Sequence, residues 1–161
     1  MQKAYLYTDG ASIGNPGPAG IGVILIDEQG TTLAKVSKPI GIATNNEAEY
    51  HALIQGLQKA IQKGVEHLVW YTDSELLARQ WQGVYEVRSP SLRELFQQAR
   101  ALAAKIPRIE VHHQRRELNE VADSLAKRAA YRGTASTRRS NACQKARRAA
   151  DATQTPKKPT G

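Results

Sequence analysis

The sequence predicts an α/β fold: a mixed five-stranded sheet flanked by helices, with elements in the order βββαβααβα. Three observations carry this. The chain opens with three short β-prone runs separated by turn residues, the apolar period becomes helical at Thr44, and apolar strand-like runs then alternate with amphipathic helical ones as far as Tyr131.

Tyr5 to Asp9, Ile21 to Asp27 and Thr31 to Lys38 are the first three strands, antiparallel to one another. The turns between them are Gly14-Asn15-Pro16-Gly17-Pro18 and the hairpin signal Asp27-Glu28-Gln29-Gly30. From Thr44, Leu53, Leu57, Ala60 and Ile61 share one helical face, and Gly64 is the stop. His67 to Asp73 is a buried strand, and Ser74 starts a helix reaching about Gln82. Ser89-Pro90 starts the next, with the apolar stripe Leu92, Leu95, Phe96, Ala99, Leu102 and Ala103, and Pro107 prevents its continuation. Ile109 to His113 is the fifth strand, followed by a helix from near Asn119 to about Tyr131.

With 161 residues the chain is long enough for one domain with its own core. The expected division is a folded domain over 1–131 and a basic tail over 132–161. Residues 1–131 carry 15 Lys/Arg against 14 Asp/Glu, a net of +1, whereas 132–161 carry 8 against 1, a net of +7. The overall +8 points to a polyanionic partner, and nearly all of that excess sits in the tail. Beyond Gly133 there is no Leu, Ile, Val or aromatic residue, so too little apolar surface is available to offset ordering entropy. A disordered tail is expected, with a short helix over about 141–151 as the alternative. Cys143 is the only cysteine, which excludes an internal disulfide and a cysteine-rich zinc site. No apolar run approaches the roughly 20 residues of a membrane span. The start lacks signal-peptide character, so a cytoplasmic, monomeric protein is expected.

Four acids occupy positions where a structural role is hard to find. Asp9 and Asp73 end apolar strands, where Asp is disfavoured. A bland reading stays open for both, a helix cap at Asp73 or Ser74 and a turn at Asp9. Glu49 shares its helix side with Leu53, Gly56, Leu57 and Ala60, the side turned to the sheet. Glu47 instead lies with His51, Gln55, Gln58 and Gln62 on a polar face. A carboxylate on the buried side requires a cation or hydrogen-bonding partners. Asp123 sits among Ala122, Leu125 and Ala126, although the helix macrodipole also favours an acid early in a helix. Clustered carboxylates repel unless a cation neutralises them, and hard oxygen ligands select Mg²⁺ or Mn²⁺. Two such ions about 3.5–4 Å apart clamp the attacking and leaving oxygens of a phosphoryl displacement. No nucleophile triad or Walker-type phosphate loop competes.

The strings YTDGASIGNPGPAG (7–20), TNNEAEYHAL (44–53), YTDSELL (71–77) and HHQRRELNEVADSLA (112–126) resemble, in order and spacing, the four blocks of the type 1 ribonuclease H family. The resemblance covers about 1–131. It implies a ribonuclease H-like fold and a metal-binding, catalytic quartet of Asp9, Glu49, Asp73 and Asp123, holding two Mg²⁺ or Mn²⁺ ions when substrate is bound. It implies hydrolysis of the RNA strand of an RNA/DNA hybrid, leaving 5′-phosphate and 3′-hydroxyl ends. Asn15, Asn45, Asn46 and the Gly10 amide are then expected at the hybrid's minor groove, where the 2′-hydroxyl distinguishes RNA from DNA. Thr44 is a candidate phosphate contact, and a helix N-cap at Asn45 or Asn46 is the structural alternative.

Two departures from the family pattern matter. The stretch after His113, Gln114-Arg115-Arg116, replaces a glycine-bearing loop that follows the catalytic histidine of many relatives. His113 is the candidate for that role, and His112 beside it must point to the other face of the strand. Arg116 is expected either to contact phosphate or to pair with Glu117, Glu120 or an active-site acid. Between Gln80 and Leu95 the chain has only Trp81, Arg88 and Arg93 where many relatives carry a basic protrusion. The tail, with Arg138, Arg139, Lys145, Arg147, Arg148, Lys157 and Lys158, is expected to supply the missing hold on the nucleic-acid backbone; a solvated extension without function is the alternative. A non-cutting module of the same fold, or a nuclease of double-stranded RNA or DNA junctions, are the competing functions.

Overall fold

A computed structural model describes residues 2–134. Its strands are β1 (Lys3–Ser12), β2 (Gly17–Asp27), β3 (Thr32–Ala43), β4 (His67–Thr72) and β5 (Arg108–His113). The helices are α1 (Asn45–Gln62), α2 (Glu75–Gln82), α3 (Pro90–Ala103) and α4, over 117–134. The sheet order is β3-β2-β1-β4-β5. β1 to β3 form an antiparallel meander, while β1·β4 and β4·β5 are parallel, so the mixed sheet and the predicted element order hold.

Both hairpin strands run further than their apolar cores. β1 continues past Asp9 to Ser12, because Ser12 still pairs with Ala19, and β3 reaches Ala43 opposite Gly17. Asp9 therefore lies within a strand and starts no turn. α4 begins two residues before Asn119 and continues three past Tyr131, across the expected domain boundary. Asn119 is buried inside its first turn, where Oδ1 accepts from the Arg116 amide and Nδ2 donates to the Tyr71 carbonyl. The expected tail beyond 134, with Cys143 and its basic residues, lies outside the described residues.

Alternation along the strands sorts side chains to two faces. Ala4, Leu6, Ile21, Val23, Leu25, Leu68 and Trp70 face α1, α2 and α3, packing on Tyr50, Leu53, Leu57, Leu77, Leu92 and Leu95. Trp81 belongs to this core: it is 8% exposed, meets Trp70 edge-on at 5.8 Å, and carries the Arg100 guanidinium over its ring at 4.1 Å. Trp81 is therefore a core residue of α2 and no part of the short linker that replaces the basic protrusion. At the period of α2 it falls on the side of Leu77 and Ala78, and burying so large an apolar surface outweighs exposing it.

Tyr5, Tyr7, Ile24 and Tyr71 face the other way, against Leu118, Ala122 and Leu125 of α4. That helix approaches closely because small residues meet. Ala122, Ala126 and Ala129 lie over Gly20 and Gly22, and the Leu125 carbonyl accepts from the Ser37 hydroxyl of β3. Among the described residues no helix is long and apolar enough to cross a membrane.

Candidate active site

Parallel pairing of β1 with β4, in register at Tyr7 and Tyr71, sets Asp9 and Asp73 side by side where the two strands lead out of the core. Glu49 arrives from α1. Its helix can come this close because Gly10 has no side chain: a Cβ there would lie 2.3 Å from the Ala48 carbonyl carbon and 2.4 Å from the Glu49 nitrogen. One carboxylate oxygen from each of Asp9, Glu49 and Asp73 lies within 4.8 Å of the others. Asp123, from α4, stands outside this group of three and hydrogen-bonds to Asp9.

The electrostatics are those of crowded acids. Burial raises the Asp9 carboxyl far above its ordinary value, and its hydrogen bond to Asp123 and the Glu49 charge add to this. Burial also pushes Glu49 up to about 7, with Asp73 adding to the rise and hydrogen bonds from Asp9 and Ser74 opposing it. At Asp123 burial acts upward too, but the hydrogen bond from Asp9 and the Lys127 ammonium at 3.0 Å outweigh it, so the net shift is downward. The contact between the two acids thus acts in opposite directions, raising Asp9 and lowering Asp123. These are hard oxygen donors under mutual repulsion, the donor set a divalent cation neutralises.

The capping alternative for this end of β4 belongs to Ser74, whose Oγ accepts from the Leu77 amide, and Asp73 is left free of that role. Thr44 is the N-cap of α1 in a full capping box: its hydroxyl accepts from the Glu47 amide, and the Glu47 carboxylate accepts from the Thr44 amide. This excludes the alternative of an N-cap at Asn45 or Asn46. It also gives Glu47 a structural task on the polar face.

Asn15 and Asn45 form a tie between the β1–β2 turn and α1. The Asn45 amide donates to Asn15 Oδ1 at 3.1 Å, and Asn45 Oδ1 accepts from the Ser12 amide at 2.9 Å. Both residues are exposed, as is Asn46. Gly10 is at the same end, but its N–H donates to Asp9 Oδ1 at 2.9 Å.

His112 stacks on Tyr71 at 5.3 Å on the α4 face, so it is the packing member of the histidine pair. His113 is exposed at the end of β5, opposite Thr72. The Arg116 guanidinium lies 5.0 Å over the Tyr71 ring, whereas the arginine on an active-site acid is Arg115, 2.5 Å from Asp73 Oδ2. Sequence reasoning missed both Arg115 and Lys127. The i,i+4 spacing of Asp123 and Lys127 was a usable signal; nothing in the sequence separates Arg115 from Arg116.

A mixed sheet in the order β3-β2-β1-β4-β5, with acids from β1, α1 and the end of β4 converging over it, defines a ribonuclease H-like fold with a carboxylate centre. Residues 7–129 match the family model described as reverse transcriptase-like. Ribonuclease HI of Halobacterium salinarum is 39% identical over 127 residues, 79% of this chain and 64% of that protein. The bifunctional protein Rv2228c of Mycobacterium tuberculosis is 42% identical over 125 residues, 77% of this chain but 34% of the relative. The chain therefore spans about a third of the mycobacterial relative and just under two thirds of the halobacterial one. Among solved structures, the N-terminal ribonuclease H domain of the mycobacterial protein superposes with a TM-score of 0.76 at 41% identity, covering 80% of this chain and 98% of that one. LC11 ribonuclease H1, from compost, solved in complex with an RNA/DNA hybrid, gives 0.76 at 41%, covering 81% and 99%. The chain belongs to the type 1 ribonuclease H family.

Proposed function

We propose that this chain is an endoribonuclease that hydrolyses the RNA strand of RNA/DNA hybrids, leaving 5′-phosphate and 3′-hydroxyl ends. The observation that carries the reading is the convergence of Asp9, Glu49 and Asp73 within 4.8 Å, with Asp9 shifted upward by burial and by the neighbouring acids, and Glu49 by burial and by Asp73. Such a donor set fits Mg²⁺ or Mn²⁺. A pair of these ions, bound with substrate, supplies charge stabilisation at the attacking and leaving oxygens.

The protein's own part is to hold and orient. Asp9, Glu49 and Asp73 are the ligands, and Asp123, paired with Lys127 and reaching Asp9, completes the set. His113, exposed and opposite Thr72, the residue before Asp73, is the group to exchange a proton with solvent or a departing product. Asn15, Asn45 and Asn46, together with Gly10 and Thr44, form the surface toward the hybrid's minor groove. The asparagine carboxamide N–H groups are the donors for base edges and 2′-hydroxyls. Arg116 is a candidate phosphate contact.

The core over 1–131 carries almost no net charge, and 132–161 supplies the electrostatic hold on the backbone. Its point of departure supports this. Arg132 donates to the Ser37 carbonyl and Gly133 lies by Pro39, so the end of α4, from which this segment continues, is held against β3, the strand that leads into Thr44 and Asn45.

Cleavage of an end-labelled hybrid with Mg²⁺, Mn²⁺ or EDTA, beside matched RNA and DNA duplexes, tests the proposal. Metal-dependent cutting confined to the RNA of the hybrid is expected. In Asp73→Asn, turnover should fall by at least about a hundredfold, with little loss of binding. Binding without cutting by the unmodified chain, or full activity in the variant, would sink the reading.

A further inference from the structure

Arg115 stands in the irregular segment between β5 and α4, which is held to β4 by the bond from the Gln114 amide to the Thr72 carbonyl. Its Nη1 donates to Asp73 Oδ2 at 2.5 Å, and its Nε lies 4.0 Å from Glu120 Oε1 in the first turn of α4. Asp73 is also one of the three acids whose oxygens converge. The guanidinium and a divalent cation therefore address the same carboxylate. Both are positive, and at a few ångströms they repel each other.

Exposure decides which of them can give way. The Arg115 side chain is 50% exposed, against 26% for Asp73, and an ion pair so open to water contributes little stability and exchanges at low cost. Glu120, 70% exposed, offers the guanidinium a second seat without movement of the backbone. Lys127, by contrast, is paired with Asp123 as an i,i+4 pair along one helix, and not with Asp73.

We infer that Arg115 is the counter-ion of Asp73 and competes with the divalent cation for that carboxylate, shifting to Glu120 as the cation enters. The inference rests on the metal-site reading above. It makes Arg115 a residue that sets the metal requirement, acting through Asp73 and not on the substrate.

The test is calorimetric titration of Mn²⁺ into the full chain without nucleic acid, for the unmodified protein, Arg115→Gln, Glu120→Gln and the double variant. Arg115→Gln should bind Mn²⁺ about fivefold more tightly, the factor that corresponds to an exposed ion pair. Arg115→Lys, which keeps the charge, should lie close to the unmodified protein. Glu120→Gln should weaken Mn²⁺ binding when Arg115 is present and have no effect when it is replaced. Equal or weaker binding by Arg115→Gln overturns the inference while leaving the metal site standing. Failure of every form to bind Mn²⁺ overturns the metal-site reading and this inference with it. Melting of each variant in EDTA at the temperature of the unmodified protein shows that the comparison is between folded chains.

Discussion

Gly22 and Ala122 meet backbone to backbone: a Cβ on Gly22 would sit 2.0 Å from the Ala122 carbonyl oxygen and 2.8 Å from the Ala126 nitrogen. Gly22 is the register partner of Asp9, and Ala122 precedes Asp123. This contact therefore sets the distance between two of the four acids. Gly22→Ala must push α4 off the sheet, since backbone atoms cannot rotate away as a flexible side chain can. The expected loss is at least about 1–3 kcal/mol, the usual range for overpacking. Hybrid cleavage should fall further than stability alone explains, because Asp123 moves with the helix. Urea denaturation together with steady-state cleavage checks this; unchanged stability would show that the helix yields freely.

The acid cluster makes stability depend on pH in an unusual direction. Asp9 and Glu49 have raised values in the folded protein, Glu49 to about 7, while both ionise near pH 4 in the unfolded chain. Between those limits the native state binds more protons than the unfolded state, so their contribution to stability decreases as pH rises from about 4 to about 7. A bound divalent cation replaces the protons and removes the penalty. Thermal unfolding in EDTA and in Mn²⁺ should therefore show a larger stabilisation by metal at about pH 8 than at about pH 5. Asp9→Asn should raise the melting temperature in EDTA at the higher pH and abolish most of the metal response. A metal-induced shift that ignores pH would contradict the assignment.

Thr44 joins β3 to α1 and its capping box orients the Asn45 end of the helix. Thr44→Ala should cost about 1 kcal/mol in denaturant unfolding, and Thr44→Ser should recover most of it. The hydrogen bond from the Thr44 amide holds the Glu47 carboxyl below its ordinary value. Its stabilisation is thus present above the unfolded value near pH 4.5 and disappears as pH falls through the folded one. The gap between the unmodified protein and Glu47→Gln should accordingly narrow from about pH 7 to about pH 4. If Thr44→Ala raises the KM for hybrid under conditions where it stays folded, and Thr44→Ser restores it, the hydroxyl also contacts phosphate.

Residues 135–161 carry seven Lys/Arg against one Asp. Deleting them should raise the KM for hybrid at low salt, leave kcat close to unchanged, and flatten the dependence of log KM on log salt, since fewer counterions are released on binding. An unchanged slope would remove the tail from the binding surface.

Several of these features are legible in the chain because they are local. The choice of Glu49 over Glu47 follows from helical period: Leu53, Leu57 and Ala60 on the Glu49 side are all buried in the fold. Thr44-x-x-Glu47 is a capping-box pattern that sequence reasoning passed over while weighing Asn45 and Asn46. The amphipathic spacing of Leu77, Ala78 and Trp81 likewise announced a core tryptophan. Arg115 and Arg116 are a different case. They are neighbours in an irregular segment, and only the direction in which α4 leaves the sheet turns one to Asp73 and the other to Tyr71.

The sequence by itself determined the kinds and order of the elements, the acids that would be out of place in them, and the concentration of charge at the C-terminal end. Those properties depend on the sterics of chain neighbours, on period and on composition, all of which act over a few residues. Only the tertiary structure decided that positions 9, 49 and 73 meet, that Asp123 reaches Asp9, and that Arg115 and Lys127 face two of the acids. The parallel crossover from β1 to β4 and the glycine contacts at Gly10 and Gly22 bring those carboxylates together. Separation and desolvation, which govern the charge and metal affinity of such groups, are products of long-range packing.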